Sequence, residues 1–433
     1  MGDLGGKTTL RNILILIIFL TFTSINLCRA LPAGPFPDAV FSKNIKTVQF
    51  YKEGWEFSYP IIDLNDDKSL LFSFDDLEGN PKNLNYIIVL CDAEWMPTRL
   101  SYSEYLDGFY QNTFSNYQVS FNTHIPYVHY SLKVPNENVK VKLPGNYILL
   151  VYEDNEDNPL LIKRFMAVDQ QISINCNIKR PILPKFQNEY QEVDFTLLHP
   201  NYPIDNPYQT IKVVVVKNNQ WKFSITDLKP LFIKPNELDY NYEDKNLFLG
   251  GNEYRSFDIK SIKYQSANIR SILLQNDAWL VTLKPDKPRD KISYLSNEDL
   301  NGKYLIQNQE GSNPDNDAEY VHVLFNFPME APLIDGDIYV YGEFSDYNCY
   351  DDYKMTYNVE RNAYELNMIV KQGYYNYQYV YVPKKTTDVD ERYFEGSHYE
   401  TENDYVIYVY HRPFGGRYDK LIGVKVGNSV RRN

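Results

Sequence analysis

The amino-acid sequence predicts an all-β chain: three consecutive β-sandwich domains, immunoglobulin-like or early-set-like, following a signal peptide. Three observations carry this reading. Tyr is in excess, at 39 residues against 20 Gly and 6 Met, and an apolar ring with a polar tip favours strands. Short apolar runs of strand length recur along the chain, separated by turns rich in Asn, Asp, Gly and Pro. No long segment keeps a helical period. A chain of 433 residues has room for about three domains.

The N-terminus comes first. Lys7 and Arg11 precede the apolar run NILILIIFLTFTSINLC, which ends at Cys28-Arg29-Ala30. A charged start, a short apolar stretch and small residues at the end make 1–30 a cleaved secretory signal. A lipid anchor on Cys28 is the rival, and Leu27 before it fits that reading poorly. No later run has the length a transmembrane helix needs, so no membrane insertion is expected.

The first domain, 31–172, holds the strands KTVQFYK, SLLFSFDDL, NYIIVLCDAEW, YQVSFN, HYSLKVP, GNYILLVYED and LLIKRFMAVD. HYSLKVP alternates, with Tyr130, Leu132 and Val134 on one face. NYIIVLC and YILLVY are apolar on both faces and read as central strands. Tyr117, Phe121 and Tyr130 are expected to face inward. The second domain, 173–312, opens with the proline-bearing connection CNIKRPILPKFQ. Asn218-Asn219 and Asn276-Asp277 are placed as hairpin turns, and Asn301-Gly302 as a third turn. The polar segment EGSNPDNDAE leads into the third, 313–433. There Tyr375, Tyr377, Tyr379 and Tyr381 share one face of YYNYQYVYV.

Chemistry is sparse. The histidines His124, His129, His199, His322, His398 and His411 make no metal-ligand pair at helical spacing, and no nucleophile or phosphate-loop motif occurs. Carboxylates cluster at Asp75, Asp76 and Glu78, at 153–157, and at Asp346, Asp351 and Asp352, without the spacing of a calcium loop. Cys91, Cys176 and Cys349 are too few and too scattered for a disulfide framework or a zinc site. Neither a catalytic residue nor a cofactor is expected. Net charge is −13, and removing 1–30, which carries Lys7, Arg11, Arg29 and Asp3, makes it −15. That argues against nucleic acid and anionic membrane surfaces as partners.

The stretch 102–130 stands out, with nine aromatic rings. Its first part, from Tyr102 to Tyr110, lacks the alternation of a strand and reads as an ordered loop. Exposed aromatic and Arg side chains are the usual anchors of a protein interface. Tyr105, Phe109 and Tyr110 are therefore candidate partner contacts, as are Arg412 and Phe414 beside Gly415-Gly416.

Read together, several pieces resemble the type IX secretion system plug proteins. They are Cys91, Asp92 and Trp95; the run Glu104-Tyr105-Leu106-Asp107-Gly108-Phe109; Ser120 to Thr123; Tyr127, His129 and Tyr130; Pro135-Asn136; and Gly145-Asn146-Tyr147. Further along, GGNEYRSFDIKS contributes Glu253, Arg255, Phe257 and Asp258, followed by QGYYNYQYV, EGSHYETENDYVIYVY and RYDKLIG. Met96 departs from the Thr expected in the Trp-x-Pro element. The resemblance implies a non-enzymatic, monomeric periplasmic protein that closes the periplasmic mouth of the outer-membrane translocon barrel. A periplasmic carbohydrate-binding or glycan-processing protein is the alternative, since the run DIYVYGEFSDYN is similar to the opening strand of sugar-binding sandwiches.

Overall fold

Strand-forming sequence accounts for nearly all the regular structure. A computed structural model describes residues 34–430; the segment 1–30, expected from sequence to be a signal peptide, lies outside them. Among the described residues there are seven sheets. The α-helical pieces are single turns of four residues, such as Tyr102–Tyr105 and Arg392–Glu395.

The first core lies between two sheets. One runs Ala39–Val40, Leu161–Val168, Gly145–Tyr152, Asn85–Cys91 and Gln111–Thr113, with Ile61–Asp63 added in parallel to Leu161–Val168. The other runs Ile45–Lys52, Leu70–Asp76, Val128–Val134 and Asn116–Val119. Alternate residues meet between them: Leu70, Phe72 and Phe74; Tyr86, Ile88 and Leu90; Tyr147, Leu149 and Val151. The two strands read as central are central neighbours, registered Leu90 to Tyr147. Tyr130 faces inward, with Val134 and Leu132, as its alternation requires. Tyr117 and Phe121 do not: they are 46% and 72% exposed. Tyr117 sits on the outermost strand of its sheet, and Phe121 in the loop beyond it, where no second sheet covers them.

The second core departs from the order read in sequence. Its first sheet is local, with Tyr190–Leu198 at its centre and Ser173–Lys179 along one edge. Its second sheet pairs Ile211–Lys217 with Asp404–His411, and that strand with Lys420–Asn428. The strands 404–428 thus leave the third block to which sequence assigned them. Val213 and Val215 meet Tyr405, Ile407 and Val409 in one core. The hairpin expected at Asn218-Asn219 shrinks to a single bridge, Val215 to Ile225, because Trp221–Phe223 coils into a 3-10 turn where the return strand would run.

The third core is built within the excursion between those strands. One sheet has Gly373–Pro383 at its centre, beside Arg255–Asp258, Tyr304–Ile306 and Gly336–Tyr341. The other runs Ile269–Gln275, Ala278–Leu283, Tyr320–Pro328, Ala363–Lys371 and Thr356–Asn358. Arg255–Asp258 and the 269–283 hairpin belong here, not to the second block. Tyr375, Tyr377, Tyr379 and Tyr381 form the expected single face, and it is the inner one. Asn276 and Asp277 take the positive φ angles (50° and 59°) of a tight hairpin turn, as their sequence predicts.

Polar networks join the three cores. Asp75, fully buried on the first, accepts hydrogen bonds from His129 (2.7 Å), from Tyr320 of the third (2.7 Å) and from Lys371 of the third (2.8 Å). Lys371 holds the Asp75 carboxyl below its ordinary range, against the opposing effect of burial. Trp95 joins first to second: Arg164 lies 4.3 Å over its ring, and Trp221 meets its edge at 5.0 Å.

Candidate partner-binding face

The Tyr102 turn is set by its own sequence. Ser101 and Glu104 cap it, with the Ser101 N–H donating to the Glu104 carboxylate at 2.8 Å. The turn directs Tyr105 into the first core, 4% exposed and 6.1 Å from the ring of Tyr147. Burial pushes its hydroxyl pKa up to about 12. Tyr105 is thus a packing residue, and its reading as a surface contact is withdrawn. Leu106–Gly108 then pairs with Val139–Val141. Gly108 has φ +120°, and a Cβ there would stand 2.0 Å from the carbonyl oxygen of Asn138, so only glycine fits. Phe109 follows, 70% exposed. Its N–H donates to Asn138 and its carbonyl accepts from Asn112, so its backbone is held. Tyr110 is half-buried against Tyr102, centroids 5.4 Å apart, and burial beside Glu156 raises its hydroxyl pKa.

The second candidate group lies on the turn joining Asp404–His411 to Lys420–Asn428. Phe414 is 67% exposed, before Gly415 in a left-handed conformation. Arg412 is anchored, its Nε donating to Asp419 at 2.7 Å. Arg417 then reaches back to the Tyr102 turn, its guanidinium on the Glu104 carboxylate at 2.7 and 3.2 Å. Two loops some three hundred positions apart in sequence are therefore tied together, each carrying one exposed Phe.

Beneath them sits a carboxylate cluster that sequence did not reveal. Ligand atoms of Asp92, Glu94 and Asp419 lie within 4.8 Å of one another. Lys212 bonds both Glu94 (2.8 Å) and Asp419 (3.3 Å), and Arg412 also holds Asp419. The Ala93 N–H donates to Asp419, and the N–H groups of Glu94 and Met96 donate to Asp92. Burial raises the Asp92 carboxyl pKa. With two cations and three N–H donors in place, the cluster is built as an interlock between the first and second cores.

The motifs behind the family resemblance are mostly framework. Cys91 is buried, and burial pushes its thiol up to about 12. Asn146 donates to the Asp92 carbonyl and accepts from Tyr410. Arg255 binds Glu395 and Asp286, and Arg289 shares Glu395. Glu253 accepts from Tyr294 and from the Glu402 N–H.

Residues 45–169 match the type 9 secretion system plug protein first domain, a span that nearly coincides with the first core. No curated protein matches the chain. A crystal structure of a hypothetical protein from Parabacteroides merdae is 34% identical, with a TM-score of 0.87; the match covers 91% of this chain and 99% of that one. With the plug-domain match confined to residues 45–169, the chain as a whole belongs to the family of that Parabacteroides merdae protein.

Proposed function

We propose that the protein is a non-enzymatic periplasmic plug for the type 9 secretion translocon, closing the periplasmic mouth of the barrel when no substrate occupies it. The observation that carries this reading is the plug-domain match over 45–169. We read the body as three β-sandwiches, the third inserted into the second, which makes a broad rigid block suited to covering an opening. Among the described residues no helix is long and apolar enough to cross a membrane. The exposed rings of Phe109 and Phe414, on backbones held by hydrogen bonds and an ion pair, are the contact anchors of this reading.

The test is reciprocal. Translocon purified from solubilised outer membrane should bring down this protein, and Phe109→Ala with Phe414→Ala should reduce recovery without changing the protein's melting temperature. Interface anchors lose about 2 kcal/mol or more on truncation. Deleting the gene should leave secretion working and admit antibiotics normally held out by the outer membrane. Unchanged permeability, with translocon from wild-type cells purifying uncapped, overturns the proposal.

A further inference from the structure

A cavity of about 630 Å³ lies between the first and third cores, away from the loop face. One wall is the run 40–48, the other is Leu366–Val370, and the floor carries Tyr304, Phe344 and Tyr353. Both walls are strand edges. Ile45–Lys52 is the outer strand of its sheet. Ala363–Lys371 is paired along one side by Tyr320–Pro328, but on its other side by Thr356–Asn358 only as far as residue 365. Side chains on a strand alternate between faces, so five consecutive residues line a cavity only when it meets the strand edge-on. Alternate N–H and C=O groups of 366–370 then point into it, and no described main-chain group pairs with that side.

The side chains tell what kind of occupant fits. The floor hydroxyls are already used: Tyr304 donates to the Val48 carbonyl at 2.9 Å, and Tyr353 to the Phe344 carbonyl at 2.9 Å. Tyr375, also on the lining, donates to the Lys371 carbonyl at 2.6 Å. These three rings present apolar surface on the floor, while Glu343, Ser345 and Asp346 add polar groups beside them. Along Leu366–Val370 the unpaired polar groups are main chain. At the mouth, Lys46 and Asp352 pair at 3.2 Å from opposite walls. Lys43 and Asp351 line the same mouth, and neither has an ion-pair partner among the described residues.

We propose that this cavity binds an extended peptide from another chain, added as a strand on Leu366–Val370. Alternate apolar side chains face the Tyr304, Phe344 and Tyr353 floor; an acidic and a basic side chain meet Lys43 and Asp351. Main-chain pairing supplies the affinity and the alternate pockets the selectivity, as in other strand additions. The proposal rests on the cavity and the ladder alone and stands independently of the plug reading.

The probe is a capped heptapeptide alternating Val with polar residues, one Glu and one Lys among them. Hydrogen exchange followed by mass spectrometry on the intact protein should show slowed exchange in 363–371 and none in the 269–275 strand. Two further peptides carry N-methyl groups on one or the other alternate set of backbone nitrogens, and one of the two should lose all protection. Lys43→Glu, an exposed change, should weaken the parent peptide about two- to fivefold. The proposal is overturned by no slowing at millimolar peptide, by equal protection from both N-methylated peptides, or by maltotriose slowing the same segment.

Discussion

Tyr105 and Phe109 lie four residues apart and meet opposite fates, and the cause is the turn between them. The capped single turn sends Tyr105 inward, and Gly108 reverses the chain so that Phe109 points out. Tyr105→Ala should cost about 3–5 kcal/mol, the range for emptying a buried aromatic site. Phe109→Ala should stay within about 0.5 kcal/mol. Urea unfolding of the two variants checks both. A second prediction concerns Asp299. Burial raises its carboxyl to about 7, even though it accepts hydrogen bonds from the N–H groups of Asn301 and Tyr254. A carboxyl with a raised folded pKa holds its proton longer in the folded state than in the unfolded one. Its contribution is therefore fully present below about pH 4 and is lost as pH rises through about 7. The residue keeps some exposure, so about 1–2 kcal/mol is expected rather than the full shift. The difference in stability between wild type and Asp299→Asn, measured from pH 4 to 8, should change across that window.

At the scale of elements, the pairing of the Tyr102 turn with the Phe414 turn rests on one exposed ion pair, Arg417 with Glu104. A double-mutant cycle on these two residues should give about 0.2–1 kcal/mol of coupling, falling as salt rises. Gly108→Ala should cost more than either single change, because the added carbon meets the Asn138 backbone, which cannot give way as a flexible side chain can. These elements also mark what the sequence could and could not convey. Local alternation identified Val128–Val134 and Gly373–Pro383, with their inner faces, because period two is a local property. It could not separate Tyr105 from Phe109, since both lie in a loop without period. Nor could it show that Arg417 reaches Glu104, or that Asp419 completes a cluster with Asp92 and Glu94, because those partners meet only through tertiary pairing.

At the scale of the whole molecule, the all-β composition was legible from Tyr content and turn residues, and the sheet partners were not. YVIYVY is apolar on both faces, and such a strand fits any central position. Its true neighbour, Ile211–Lys217, is separated from it by the entire third core. The prediction at this scale is that a chain ended at residue 403 loses two of the three strands in one sheet of the second core. It should expose Val213 and Val215 and aggregate or unfold without a cooperative transition, while the isolated span 255–396, which includes Phe394 and Glu395, keeps its own core. Circular dichroism and urea titration of the two fragments test this, and a cooperative transition for the 403 truncation at wild-type midpoint refutes it.

The interrupted second core also sets a schedule. A chain synthesised N-terminus first presents Ile211–Lys217 long before Asp404–His411 arrives to cover it. The first core can close early, and the third can close on its own strands. The second must wait, with a row of valines uncovered, for residues near 428. Folding of such non-local pairs is slow, so the second core is completed only when the chain through residue 428 is available, and a chain cut short before then keeps that row of valines uncovered.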